Sequence, residues 1–166
     1  MKFWGPWSAS GLIVAAITLA ADQIHKWWMI EVFRIGEKGK VTVAPFLDLV
    51  MVWNRGISYG LFQQDDGAGA LMLAGIAIVA ALLLTWWLAY LDARLPALSV
   101  GLIIGGAIGN AIDRVQYGAV ADFFSFHAWG FYWYVFNIAD VAIVAGVAGL
   151  LYDSLKPGHK NVGKRI

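Results

Sequence analysis

The chain has 166 residues, of which 60% are hydrophobic and only 14% charged, with a formal net charge of +1 at pH 7. That balance excludes an ordinary soluble domain and fits one polytopic membrane domain over residues 1–166. There is no cysteine, which rules out thiol catalysis and disulfide staples and says nothing about redox compartment.

Lipid offers no hydrogen bonds to open backbone, so only helices or a closed barrel can cross it, and the long uncharged runs favour helices. The first expected span covers about 8–28: apolar Gly11 to Ala21 leads into Asp22, Lys26, Trp27 and Trp28. Lys2, the apolar run and the small Ala20 and Ala21 also fit a cleaved signal over residues 1–22. Asp22 and Lys26, four apart on one helix face, argue for a continuing helix instead. The second span, 67–91, carries no charge and exceeds the roughly 20 residues needed to cross a hydrocarbon core of about 30 Å. The third, 95–114, contains the uncharged run Leu95 to Ile112, with only Pro96 near its start; the fourth, 134–153, carries Asn137 and Asp140 in its first turns.

Four spans place both termini on one side, read as cytoplasmic from the dense tail Lys156, Lys160, Lys164 and Arg165, although the positive charges on the two sides are nearly balanced. The loops 29–66 and 115–133 then face outward. In the first, segments 31–35 and 41–43 flank the turn-rich Gly36 to Lys40, and Leu47, Leu49, Met51 and Trp53 recur at period two. This predicts a small β-sheet in the first outer loop, lying on the membrane surface. Doubled aromatics (Trp27 and Trp28, Trp86 and Trp87, Tyr132 to Tyr134) suit the membrane interface. Gly101, Gly105 and Gly109 form a ridge at spacing four, expected to pack closely on a neighbouring helix.

The polar residues gather at the outer ends of the helices. Asn110, Asp113 and Arg114 share one helix face, Asn137 and Asp140 are three apart, and Asn54 lies in the first outer loop. Local pairing is the expectation for Asp22 with Lys26 and for Asp113 with Arg114. Asp122 and Asp140 differ, because neither has a Lys or Arg within four residues. An Asp at the centre of a spanning helix costs roughly 2.5 to 3.5 kcal/mol, so one held at such depth points to chemistry or transport. Two close carboxylates without a cation tend to share one proton, giving a general base beside a general acid.

Other motifs fail on context. Gly56-Ile57-Ser58-Tyr59-Gly60 matches a nucleophile elbow but lacks the α/β-hydrolase sheet. His25, His127 and His159 show no zinc spacing, and the Gly105 to Gly109 run lacks the flanks of a phosphate loop. His127 reads as an interfacial aromatic, and the tail as a cationic membrane anchor with no nucleic-acid role. The residues alone leave open an aspartic hydrolase, a proton-coupled transporter, a metal-dependent enzyme acting on lipid phosphates through Asp113 and Asp122, and a purely structural partner.

Asp22-Gln23-x-x-Lys26, Asn54-x-Gly56, Gly105-Gly106-Ala107-Ile108-Gly109-Asn110-x-x-Asp113-Arg114, Val120-x-Asp122-Phe123 and Phe136-Asn137-Ile138-Ala139-Asp140 stand in the order seen in bacterial lipoprotein signal peptidase, also called signal peptidase II, which the chain resembles over nearly its whole length. The resemblance implies an all-α integral membrane protein of the bacterial inner membrane with four transmembrane helices. It implies an aspartic endopeptidase that cuts a diacylglyceryl-modified prolipoprotein on the amino side of its lipidated cysteine, near the outer face. It places the catalytic pair on Asp122 and Asp140, pocket-lining roles on Asn54, Asn110, Arg114 and Asn137, and structural roles on Asp22, Lys26 and Asp113. No metal or cofactor is expected, and the partners are substrate and membrane lipids, with the chain acting as a monomer. His25, Ile57 and Tyr59 depart from the family pattern and bear on substrate fit and loop packing.

Overall fold

A computed structural model describes residues 3–56 and 67–156. Most of the elbow-like motif, with Ile57 and Tyr59, lies outside the described residues, as do His159 and the tail residues Lys160, Lys164 and Arg165.

Helix α1 (Ser8–Trp27) runs on into a π-helical turn over Trp28–Val32, followed by the short α2 (Ile35–Lys38). Segment 31–35, expected as a strand, is therefore helical through Val32 and then leads into α2. The reason is packing: Met29 and Ile35 are fully buried with Ala121 and Phe123, and the helical path brings both beneath the sheet. Continuing the helix also keeps the backbone bonded internally past Trp27.

Strands β1 (Val41–Ala44) and β2 (Leu47–Asn54) match the expected period-two segments. They join β3 (Val120–Ala128) and β4 (Phe131–Tyr132) in an antiparallel sheet of order β1-β2-β3-β4. The sheet is thus assembled from both inter-helix segments that carry strands, not from the first loop alone. Val52 pairs with Asp122 and Asn54 with Val120, beyond an irregularity in register between Leu49 and Val52. Bulges of this kind re-aim side chains at the edge of a site. On the far side, the Thr42 hydroxyl donates to Asp48 Oδ1 at 2.7 Å. His127 Nε2 lies 3.3 Å from Asp48 Oδ2, and its ring rests on Tyr132.

Helices α3 (Gly67–Leu88), α4 (Arg94–Tyr117) and α5 (Ile138–Leu155) are each long and apolar enough to cross a membrane. Helix α1 is 20 residues long, enough for about 30 Å, but carries Asp22 and Lys26 within its length. Helix α4 is the most enclosed of the long helices and packs against α1, α3 and α5. Its glycines make this possible: a methyl group at Gly101 would strike the Gly11 carbonyl, one at Gly105 would lie 2.5 Å from the Ala15 carbonyl, and one at Gly109 would lie 2.6 Å from Asp22 Oδ2. The ridge read from the sequence is the α1–α4 seam. On the opposite face Gly106 meets the Ala139 carbonyl, which seats α5. Leu71, Ile76, Leu82 and Leu83 of α3 and Val141, Val144 and Leu151 of α5 are exposed, an apolar girdle suited to lipid.

Among the boundaries that differ from the sequence estimate, two have identifiable reasons. Helix α4 continues to Tyr117 and stops at Gly118, whose φ of 71° suits a residue without Cβ and whose N–H donates to the Arg114 carbonyl at 3.0 Å. Helix α5 begins at Ile138 instead of Tyr134, because Asn137 caps it and Phe136 is held in extended backbone against Phe124.

Candidate active site

Asp140 is the N3 residue of α5 and takes part in a reciprocal capping box. Asn137 Oδ1 accepts from the Asp140 N–H at 3.0 Å, and Asp140 Oδ2 accepts from the Asn137 N–H at 3.2 Å. Such a box satisfies N–H groups a helix start leaves open, and here it also fixes the rotamer of the carboxylate. The Asn137 side-chain amide is left to point away from the helix. It donates to Asp122 Oδ1 at 2.7 Å and to Asn110 Oδ1 at 3.1 Å. One residue therefore bonds to both aspartates, Asp122 from a strand and Asp140 from a helix.

The remaining valences are filled by amides. Asn110 donates to Asp140 Oδ1 at 2.9 Å. Asn54, at the end of β2, donates to Asp122 Oδ2 at 3.2 Å and to the Tyr134 hydroxyl, and its own oxygen accepts from the Gly56 N–H. Arg114 donates to the carbonyls of Asn110 and Gly56 at 3.1 and 3.0 Å, tying the end of α4 to the end of β2. Asp122 is fully buried. Burial first, and the neighbouring Asp140 charge second, push its carboxyl up to about 7 against the opposing bonds from Asn54 and Asn137. Burial, followed by the charges of Asp122 and Asp140, pushes the Tyr134 hydroxyl up to about 12, so it stays protonated at neutral pH.

A cavity of about 720 Å³ opens beside this cluster. Asn54, Asn110, Arg114, Tyr134 and Asp140 form its polar end, and Ala77, Ala107, Val141, Val144 and Ala148 its apolar wall. The cavity thus has a polar centre at the head of an apolar trough.

Asp22 and Lys26 pair at 2.8 Å, as their spacing predicts. Asp113 does not pair with Arg114: it lies 2.8 Å from Lys26, because the glycine seam brings α1 close enough for the ammonium to reach α4. Both Asp113 oxygens are engaged, Oδ2 by Lys26 and the Ala121 N–H and Oδ1 by Gln23. Among the described residues no group of three or more His, Cys, Asp or Glu could hold a metal ion. His25 is packed against Phe123 and Phe124. Two polar participants were not singled out from the sequence. Gln23 belongs to the quoted Asp-Gln motif, whereas Tyr134 carries no signal, since it reads as one more interfacial aromatic.

The family model described as signal peptidase (SPase) II matches residues 14–156. This chain belongs to the signal peptidase II family. It is 56% identical over 149 residues to the lipoprotein signal peptidase of Nitrobacter hamburgensis, covering 87% of this chain and 91% of that one. It is 53% identical over 145 residues to the lipoprotein signal peptidase of Methylobacterium sp. (strain 4-46), covering 87% and 88%. Among solved structures, one described as a bacterial membrane enzyme determined by the in meso method at 2.3 Å resolution superposes with a TM-score of 0.78 at 26% identity, covering 95% of this chain and 94% of the other. The signal peptidase II fold is thus a helical membrane-enzyme architecture with a small antiparallel sheet set on it.

Proposed function

We propose that this signal peptidase removes the signal peptide from diacylglyceryl-modified prolipoproteins as an aspartic endopeptidase, with Asp122 and Asp140 as its catalytic pair. The observation that carries the reading is the Asn137 bridge, which bonds to both carboxylates at the head of an apolar trough. Asp140 borders the cavity and takes a proton from water, which attacks the scissile carbonyl. Asp122, whose burial favours the protonated form, donates to the leaving nitrogen. Each transfer typically contributes about 100- to 10,000-fold. A fixed donor facing the developing oxyanion adds roughly 2.7 to 4 kcal/mol, a role open to Arg114 or an Asn amide. The acyl chains lie along the apolar wall, so that anchoring in the bilayer also sets the peptide bond on the amino side of the lipidated cysteine against the aspartates.

The same reading gives four transmembrane helices in the bacterial inner membrane, with α1 as the fourth. Its Asp22 and Lys26 neutralise each other inside the bundle, which lowers the cost of carrying them there. Both termini are cytoplasmic, the sheet and the aspartates lie at the outer face, and the chain acts as a single 1–166 domain and a monomer among lipids.

The test is a gel-shift cleavage assay on a lipidated prolipoprotein with purified wild type, Asp122→Asn and Asp140→Asn, with and without chelator. Each substitution abolishes cleavage while the protein still inserts and folds, and chelator leaves the wild type unaffected. Cleavage surviving either substitution, or lost to chelator, ends the aspartic reading.

A further inference from the structure

Lys26 is only 3% exposed, yet its ammonium is fully used. An ammonium has three hydrogens to donate, and this one meets Asp22 Oδ2 at 2.8 Å, Asp113 Oδ2 at 2.8 Å and Asn110 Oδ1 at 3.1 Å. Neutralising buried acids would need no more than that. Each carboxylate, however, also accepts one backbone N–H. Asp22 Oδ1 takes the Ala139 N–H at 2.9 Å, and Asp113 Oδ2 takes the Ala121 N–H at 3.1 Å. Ala139 is the residue directly before Asp140, and Ala121 the residue directly before Asp122. The two bonds span 117 and 8 residues of sequence, so no local motif accounts for their shared placement.

We propose that Asp22, Lys26 and Asp113 form a positioning clamp, in which one ammonium holds two carboxylates that each fix the backbone immediately ahead of one catalytic aspartate. The proposal rests on the reading of Asp122 and Asp140 as the catalytic pair. The clamp sets the spacing between strand β3 and the start of α5 through Asp22 and Lys26 of α1, an element that contributes nothing to the cavity wall, and Asp113 of α4. The ammonium's third contact, Asn110, extends the grip, because Asn110 also donates to Asp140 and accepts from Asn137. Gly109 leaves the room that the Asp22 carboxylate occupies. Asp22, Lys26 and Asp113 are thus positioning residues: they do not line the cavity, and a misplacement of about 1 Å in a reacting group can cost roughly 100-fold in rate.

A merely structural triad and a clamp differ in kinetics. For Asp22→Asn and Asp113→Asn, purified in detergent, kcat and KM are measured on a lipidated prolipoprotein for the folded fraction, with thermal unfolding recorded alongside. The clamp predicts a fall in kcat of roughly 10- to 100-fold with KM within about twofold, and a double variant little worse than the worse single one, because either break opens the same device. Lys26→Met adds a pH readout. The charged or titratable groups bearing on Asp122 are Asp140 of α5, Lys26 of α1, Arg114 of α4 and Tyr134. Losing the one cation from α1 favours protonated Asp122, so the limb on which activity declines with rising pH moves upward.

Unchanged kcat in folded Asp22→Asn and Asp113→Asn, losses confined to KM, or multiplicative losses in the double variant would overturn the clamp. If neither single variant accumulates folded, Gly109→Ala decides, since it keeps every charge and presses on Asp22. A lowered kcat there supports the clamp, and an unchanged one overturns it. Failure of the catalytic reading is separate, because it shows as cleavage by Asp122→Asn or Asp140→Asn.

Discussion

Asn137 and Asp140 hold each other from both ends, each side chain accepting the other's backbone N–H at 3.0 and 3.2 Å. A residue proposed for proton transfer is thereby also the N3 residue of a helix cap, and its orientation comes from the start of the helix itself. Asn137 has a second duty, toward Asp122, and the two duties can be separated. Asn137→Ser keeps an oxygen for the cap and loses the amide that meets Asp122. Asn137→Ala loses both, and loss of a cap costs about 1 kcal/mol. The expected result is near-wild-type unfolding for the serine variant, a lower midpoint for the alanine variant, and at least a tenfold slower cleavage in both. Retained cleavage in Asn137→Ser would show that the bridge is dispensable.

The pH dependence follows from Asp122. Its ordinary value is 3.8, and the fold raises it to about 7. Between these two values the folded chain holds a proton that the unfolded chain has released, so this group's contribution to stability falls as pH rises from about 4 to about 7 and changes little above that. The proton is also the one the proposed reaction donates, so cleavage declines as pH rises through about 7, and it declines again at low pH when the pair is doubly protonated. A pH–rate profile checks both limbs. Asp140→Asn removes the repelling charge and lowers the Asp122 value, which carboxyl infrared titration reads directly.

The α1–α4 seam has no room for side chains at its glycines. Gly101→Val drives a branched group into the Gly11 backbone, and overpacking of this kind costs about 1 to 3 kcal/mol. Gly36→Ala, in α2, meets nothing within 4 Å and serves as a control expected to unfold like the wild type. Thermal unfolding in one detergent compares the two.

Tyr134 is the cavity-lining partner of Asn54, which in turn donates to Asp122. Tyr134→Phe removes the hydrogen bond that the hydroxyl accepts from Asn54, a bond of a kind worth about 0.5 to 1.5 kcal/mol. Cleavage is expected to slow roughly two- to tenfold on that scale, with a slightly lowered unfolding midpoint. A loss above a hundredfold would assign the hydroxyl a part in the chemistry itself.

Much of this arrangement is legible in the residues, and what is not has a physical cause. Charge-free runs mark α3 to α5 because lipid-facing helices tolerate few charges, and the glycine spacing marks the seam because close approach needs small residues. Asp122 and Asp140 stand out because no cation lies near them in sequence. Pairing across elements is invisible at that level: Asp113 and Arg114 are neighbours on the chain, yet the ammonium that Asp113 meets comes from α1. The segment around Glu31 to Ile35 reads as β from its apolar composition, and the burial of Met29 and Ile35 under the sheet turns it helical. The pairing of β2 with β3 joins segments about 70 residues apart, which no period can reveal.

One acid rides on a strand and the other on a helix, so their meeting depends on how the sheet is docked on the bundle. Slight undocking leaves every hydrophobic helix intact while the two carboxyl groups drift out of register. Warming or a harsher detergent should therefore silence the protein well before circular dichroism records any loss of helix, and restoring native lipid should return the activity without refolding.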